Sequence, residues 1–168
     1  MTTYNFPRKQ RQSYALVEKV RQWLARREDI AEVSDLQDDP RFYYRGDLVV
    51  TRRDGTVQYV EVKSEPRYTR DSTPYFAVER YSNVEKHTPG GPWSTSADFY
   101  AHVYPDGLLL IMSRRKLVQW IESALTRDPE AFDFRHIRNE GWLTGTYLIP
   151  RTRAKAALGI FYREYEVT

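Results

Sequence analysis

Three ionisable residues on two neighbouring segments could do chemistry together. Asp47 lies in Gly-Asp-Leu-Val-Val, and Glu61 and Lys63 lie in Val-Gln-Tyr-Val-Glu-Val-Lys-Ser. Both segments are rich in Val, Leu and Tyr, and Asp54-Gly55 between them favours a tight turn. Residues 43–65 are therefore predicted to form a β-hairpin with strands at about 43–51 and 57–64.

The alternation of side chains along a strand places two of these charges on the same face. Successive strand residues point to opposite faces, so Glu61 and Lys63 share one face while Val60 and Val62 share the other. The apolar neighbours indicate a central strand. An ionised Glu or Lys on such a strand is costly unless it is paired or bound to a cation.

The length of the turn decides where Asp47 lies. A two-residue loop would put Asp47 across from Val62, on the face away from Glu61. A three-residue loop with Gly55 in the left-handed region would put Asp47 across from Glu61 and Arg45 across from Lys63. The sequence permits both registers, and we predict the second because it converges the charges.

A hard cation suits the converged arrangement. The carboxylates of Asp47 and Glu61, the carbonyl of Val62 and water would be ligands for Mg²⁺ or Mn²⁺. Such a metal would lower the pKa of a bound water and neutralise charge on a phosphate. Lys63 would hold or deprotonate the attacking water, or stabilise the pentavalent phosphorane.

Gly-Asp47-Leu-Val-Val, a short hairpin and Glu61-Val-Lys63 together resemble the motif of the PD-(D/E)xK nuclease superfamily. The resemblance covers residues 13–65, with Gly46 where a Pro usually precedes the first Asp. It implies an α/β, restriction-endonuclease-like fold, a mixed β-sheet flanked by helices. It also implies a Mg²⁺-dependent endonuclease that hydrolyses DNA in recombination, repair or phage DNA processing. The small size of the chain favours recognition of a branched or other non-B DNA structure over a long base sequence.

Further acids are candidates for the same site. The family often carries a Glu on its first helix, which makes Glu18 a candidate. Glu18 falls opposite the apolar stripe of that helix and is equally a surface residue, while Glu28 lies nearer the stripe but at the helix end. Glu79 would be brought near Lys63 by a neighbouring strand, or would form a simple ion pair with Arg80 or Arg67.

The remaining pattern predicts alternating helices and strands. Apolar residues at helical spacing follow a Ser13 cap in the first helix. Strands are predicted at 30–36, 75–82, 97–104, 108–112, 142–149 and 160–167, and helices at 14–27, 114–125 and 152–158. Thr-Pro-Gly-Gly-Pro at 88–92 reads as a break between elements.

Basic residues supply candidate phosphate contacts. The net charge is +3 and the pI about 9.1, a mild bias towards polyanions. For the basic residues on helices, the alternative to a phosphate contact is a helix face exposed to solvent. The nucleic-acid-binding candidates are Arg8, Lys9, Arg11, Arg67, Arg70, Arg114, Arg115 and Lys116.

Composition bounds the remaining possibilities. The 168 residues are expected to form a single domain, with a basic arm at 1–12, and the absence of cysteine excludes disulfides and thiolate metal sites. The chain offers neither a signal peptide nor an apolar run long enough to span a membrane, so we expect it in the cytoplasm.

Two non-catalytic alternatives stay open. One is a module on the same fold that binds nucleic acid or protein. The other is a small strand-rich structural or phage-accessory protein in which Glu61 and Lys63 merely pair with each other or with Arg45. The residues do not distinguish DNA from RNA as the partner. Resolvase-type action would require a two-fold dimer, for which the aromatic strand at 160–167 is a candidate interface.

Overall fold

The computed structural model describes residues 6–37, 39–42, 44–64, 73–139 and 141–167, and of residues 6–13 the backbone. The helices are α1 (Phe6–Ala25), α2 (Gly91–Ser94), α3 (Arg114–Arg127) and α4 (Arg151–Leu158). The strands are β1 (Ile30–Asp35), β2 (Leu48–Arg52), β3 (Val57–Ser64), β4 (Tyr75–Asn83), β5 (Thr88–Pro89), β6 (Phe99–Val103), β7 (Leu108–Ser113), β8 (Asp133–Arg138), β9 (Leu143–Pro150) and β10 (Tyr162–Glu166).

The strands form two sheets. The larger has six strands in the order β1-β2-β3-β6-β7-β10 and is mixed, because β3 and β6 run parallel while the other neighbours are antiparallel. The smaller is antiparallel, with the order β5-β4-β9-β8. The expectation of an α/β protein with a mixed sheet and flanking helices is confirmed at this level, and β3 is central as predicted.

Helix α1 covers one face of the six-stranded sheet. Its buried residues Leu16, Val17, Val20 and Leu24 follow the helical spacing seen in the sequence. They pack in one cluster with Val60 and Val62, which the alternation of β3 turns towards the helix. Glu61 and Lys63 consequently belong to the opposite face of the sheet.

The second face of the large sheet carries a separate core. There Tyr100 and Leu110 pack with Leu117 and Ile121 of α3 and with Phe76 of the small sheet. The small sheet, α3 and α4 therefore form the layer that lies over the face bearing Glu61 and Lys63.

Three local predictions need correction. Helix α1 begins at Phe6, so Ser13 lies inside it and residues 6–12 of the predicted arm are helical. Helix α2 forms inside the predicted break, with Pro92 in its first turn, where a missing N–H costs nothing. Strand β8 was not predicted because every one of its residues is exposed, which removes any apolar alternation. No helix in the described part of the chain is long and apolar enough to cross a membrane.

Candidate active site

The hairpin adopts the register that was predicted. Leu48 pairs with Val60 and Thr51 with Val57, and the Arg52 amide donates to the Thr56 carbonyl at 2.8 Å. Three residues therefore form the loop, and Gly55 has a φ of 86°. Because the left-handed region is open to glycine, this turn chemistry sets the register of the whole hairpin.

The ladder ends one residue before Asp47 would join it. The Asp47 amide donates to the Val60 carbonyl at 2.9 Å, so Asp47 is not a ladder partner of Glu61. Gly46 makes this irregularity possible with a φ of 121°, and a Cβ there would lie 2.8 Å from the Val60 oxygen. Glycine thus stands before the first acid because the chain passes directly against β3.

Asp47 is fixed by three hydrogen bonds. Besides its amide, its carbonyl accepts from the Leu36 amide at 2.8 Å, and its Oδ2 accepts from the Val62 amide at 2.7 Å. An amide and carbonyl of one strand residue point to the same side, so the Val62 carbonyl also points towards β2, where the ladder has ended. The predicted oxygen donors Asp47 and Val62 are therefore neighbours.

Arg45 does not lie where the extended ladder would have put it. The chain turns at Tyr44–Arg45, and the Arg45 amide donates to the Phe42 carbonyl at 2.7 Å. Its guanidinium lies 5.1 Å from the ring centre of Tyr59. The prediction that Arg45 faces Lys63 is wrong because β2 begins only at Leu48.

Glu61 and Lys63 form an ion pair inside the site. Lys63 Nζ lies 2.9 Å from Glu61 Oε1, and the Glu61 side chain is 13% exposed while that of Lys63 is 40% exposed. On the other side of β3, Glu61 pairs in register with Tyr100 and Lys63 with His102. The two charges are thus held on a central strand, as predicted.

The carboxyl group of Asp47 has an unusually high proton affinity. Burial and the nearby charge of Glu61 raise the pKa of Asp47 to about 6, against the smaller opposing effects of the Val62 amide and Lys63. The two carboxylates therefore lie close enough to repel, which is the electrostatic condition for binding a divalent cation.

Lys63 remains a cation in this surrounding. Burial disfavours its charge, but Glu61, Asp47 and Glu79 together outweigh this effect and raise the pKa of Lys63. A protonated lysine donates hydrogen bonds and neutralises negative charge, and it does not accept a proton. Of the three roles expected for Lys63, a protonated lysine fits holding the attacking water and stabilising the phosphorane, and it does not fit deprotonation of that water.

Glu79 reaches the same site from the other sheet. It lies on β4, and with Asp47, Glu61 and Lys63 it lines a cavity of about 430 Å³. Burial raises the pKa of Glu79, with Lys63 and the Gly91 amide acting against the shift. The neighbouring Arg80 lies over the Trp93 ring, 4.6 Å from its centre.

Two glycines that sequence reasoning treated only as a break form the wall behind Glu79. A Cβ on Gly90 would lie 2.5 Å from Glu79 Oε1, and a Cβ on Gly91 would lie 2.6 Å from the Glu79 carbonyl oxygen. Only glycine permits this approach. The signal in the sequence was the Gly-Gly pair itself, which marks close contact as well as a turn.

A divalent cation would have oxygen donors of the right kind here. Asp47, Glu61 and the Val62 carbonyl are hard ligands, and the charge of a cation would relieve the repulsion that raises the pKa of Asp47. Within the described ranges, no group of three or more His, Asp or Glu residues is arranged to hold a metal ion. A cation on two carboxylates would keep several waters, which is the habit of Mg²⁺.

Glu18 is not brought to the cavity. Its carboxylate accepts two 2.7 Å hydrogen bonds from Arg21 and one of 2.8 Å from Gln22 along α1. These bonds, that of Arg21 first, lower the pKa of Glu18 to about 2. The side chain is thus engaged on the helix surface, which agrees with the second interpretation of this residue.

The predicted basic contacts are only partly described. Arg67 and Arg70, and the side chains of Arg8, Lys9 and Arg11, lie outside the described residues. Arg114 Nε donates to the Ala97 carbonyl at 2.9 Å, Lys116 Nζ lies 5.2 Å from the Phe161 ring centre, and Arg115 is exposed. Arg114 therefore ties α3 to the segment before β6.

His102 lies on β6 and is buried. It is 1% exposed between Phe76 and Tyr104, whose ring centres lie 5.8 and 5.2 Å from its own. Burial and the charge of Lys63 lower its pKa to about 3. His102 thus belongs to the core beneath the site and is neutral at ordinary pH.

Comparison with known proteins identifies no relative: neither a family model, nor a curated protein, nor a solved structure matches this chain. The function must therefore be inferred from the site itself.

Proposed function

We propose that this chain is a divalent-metal-dependent nuclease that hydrolyses phosphodiester bonds of DNA. The observation that supports this most is the meeting of Asp47, Glu61 and Lys63 with Glu79 around one cavity. The three motif residues belong to one hairpin whose register was predicted from its turn. Two interacting carboxylates beside a lysine suit the hydrolysis of a phosphate ester.

The residues have distinct roles in this proposal. Asp47, Glu61 and the Val62 carbonyl hold Mg²⁺ or Mn²⁺, which when bound supplies an acidified water and neutralises phosphate charge. Lys63, kept protonated by its acidic neighbours, donates to an oxygen of the scissile phosphate. Glu79 holds the lysine in the cavity from the opposite side through its charge.

The order of elements supports a restriction-endonuclease-like fold in part. Helix α1 precedes the antiparallel strands β1, β2 and β3, and β3 then pairs in parallel with the later strand β6. The connection between β3 and β6 departs from the expected pattern. The resemblance implies a helix between these strands, whereas the described part of the connection contains β4, β5 and the four-residue helix α2.

One observation favours the two non-catalytic alternatives, the binding module and the structural protein. Lys63 and Glu61 already satisfy each other in a 2.9 Å ion pair. For hydrolysis, this pair must open so that Glu61 faces the cation and Lys63 faces the phosphate. A binding module would keep the pair closed.

Cleavage assays separate the two functions. Linear DNA, branched DNA and RNA are incubated with Mg²⁺ or with EDTA, using the wild type, Glu61→Gln and Lys63→Met. The matched controls are Glu130→Gln and Lys155→Met, which alter exposed residues elsewhere. We expect Mg²⁺-dependent cleavage that falls by about 10²-fold or more in both site variants and is unchanged in the controls.

The nuclease and the binding module predict different results in these assays. If the protein binds nucleic acid without cleaving it, and neither substitution changes the affinity, the binding module is established instead. Cleavage of RNA alone would move the substrate from DNA to RNA. A chain that neither binds nor cleaves any nucleic acid at low salt would contradict both functions.

A further inference from the structure

Beside the cavity lies a cluster that the hydrolytic chemistry does not use, with one exposed and two half-buried side chains. Tyr44, Arg45 and Tyr59 form it, and we call it the Tyr–Arg platform. The Arg45 guanidinium lies 6.0 Å from the ring centre of Tyr44 and 5.1 Å from that of Tyr59. The Tyr44 side chain is 55% exposed.

The platform adjoins the catalytic residues. Tyr59 and Glu61 are two residues apart on one face of β3, which separates their Cα atoms by roughly 6.6 Å. The backbone of Tyr44 contacts the lining of the cavity, because its carbonyl accepts from Thr95 Oγ1 at 3.2 Å and Thr95 lines the cavity. A chain molecule whose phosphate occupies the cavity would therefore pass over the platform.

The platform is held in place before any ligand arrives. The Tyr44 carbonyl also accepts from the Ser96 amide at 2.7 Å, and the Tyr59 amide donates to Asp98 Oδ2 at 2.8 Å. Hydrogen bonds to the side chains of the two tyrosines hold the Arg45 guanidinium beside them and raise the pKa of Arg45. A preorganised surface loses little entropy on binding.

The chemistry of the platform suits one nucleotide. Aromatic rings and a planar guanidinium offer stacking surfaces for a base of any sequence, and the guanidinium also pairs with phosphate. A base inside a duplex already has both faces stacked, so only an unpaired base can lie on Tyr44.

We propose that the Tyr–Arg platform binds an unpaired nucleotide next to the scissile phosphate, so that the substrate carries a single-stranded segment at the cut. This inference rests on the proposed nuclease function and narrows it to a class of substrate. The base stacks on Tyr44, and Arg45 pairs with the adjoining phosphate.

Binding without cleavage tests the platform separately from catalysis. Fluorescence anisotropy in EDTA measures the affinity for a labelled oligothymidylate of about 12 nucleotides and for a duplex of equal length. The variants are Tyr44→Ala and Tyr44→Phe. Trp142→Ala is the control, because Trp142 is an aromatic residue of similar exposure, 46%, away from the cavity.

We expect tighter binding to the single strand than to the duplex. Tyr44→Ala should weaken single-strand binding by roughly 5- to 150-fold, the range found when a base-stacking aromatic is removed. Tyr44→Phe keeps the ring and should stay within about two-fold of the wild type, as should Trp142→Ala. Thermal unfolding of Tyr44→Ala checks that the variant is folded.

The contrary results are distinct. Equal affinity for both nucleic acids, or an unchanged affinity in folded Tyr44→Ala, would overturn the platform while Glu61-dependent cleavage still stood. In a Mg²⁺ assay on a duplex with one single-stranded arm, cuts deep inside the duplex would also overturn it. Absence of any binding and any cleavage would overturn the proposed function itself.

Discussion

At the scale of single residues, the proposed metal ligand Asp47 carries a cost to stability. Its carboxylate is buried beside Glu61, and its pKa in the folded chain is about 6 against an ordinary value of 3.8. The folded state therefore binds this proton more tightly than the unfolded state. The cost is absent below about pH 4, grows as the pH rises to about 6 and is complete above that.

Replacing Asp47 by Asn should stabilise the protein while abolishing cleavage. Asn keeps an oxygen that accepts from the Val62 amide but carries no charge. In EDTA at pH 8, we expect the free energy of unfolding in urea to rise by about 2 kcal/mol, with little difference at pH 4.

Asp133→Asn is the control for that experiment. Asp133 forms an exposed ion pair with Arg135, so its loss should lower stability at pH 8 by less than about 1 kcal/mol. An Asp47→Asn variant less stable than the wild type at pH 8 would show that the carboxylate gains more from its hydrogen bond than it loses to burial and to Glu61.

At the scale of elements, the hairpin depends on two glycines with different structural roles. Gly55 makes the turn in open surroundings, with no heavy atom within 4 Å of a Cβ built there. Gly46 brings Asp47 against β3, where a Cβ would lie 2.8 Å from the Val60 oxygen. The first glycine sets the register, and the second places the acid.

The two alanine variants should therefore differ. Gly55→Ala should cost about 1 kcal/mol of stability, the cost of a left-handed residue, and keep most of the activity. Gly46→Ala should cost at least about 2 kcal/mol of stability and remove cleavage. The backbone at residue 46 would have to move away from β3 and would carry Asp47 with it. Urea unfolding and cleavage rates measure both effects. Full activity in Gly46→Ala would contradict the role assigned to this glycine.

At the scale of the whole molecule, the site forms where two sheets meet. Asp47, Glu61 and Lys63 come from the six-stranded sheet, and Glu79 comes from the four-stranded one. The net charge of +3 is small, so binding to a polyanion must depend on where the cations lie. Arg114, whose guanidinium bonds the carbonyls of Ala97 and Pro92, already has a structural role.

Salt dependence should separate phosphate contacts from such structural cations. If Arg67 and Arg70 each meet a phosphate, the double variant Arg67→Ala, Arg70→Ala should reduce the slope of log affinity against log salt by about 2. Arg114→Ala should leave the slope unchanged and lower the melting temperature. Anisotropy across a series of KCl concentrations measures the slopes. A reduced slope in Arg114→Ala alone would reverse these assignments.

Local sequence determined much of the hairpin and of its surroundings. The apolar stripe of α1, the face parity of Glu61 and Lys63 and the three-residue turn at Gly55 each depend on residues close together in the chain. Such features follow from helical and strand periodicity and from turn geometry, which a sequence displays directly. The predicted convergence of Asp47 towards Glu61 rested on these rules alone.

Only the tertiary structure decided the rest of the site. Glu79 and the Gly90-Gly91 wall reach the cavity because a second sheet lies over the first, and no local pattern encodes that arrangement. The direction of the Arg45 side chain depends on the β2–β3 ladder, which ends at Leu48. The burial of His102 depends on the parallel pairing of β3 with β6. Contacts between strands that are distant in sequence depend on how whole faces of the sheets pack together. Single residues therefore do not predict these contacts.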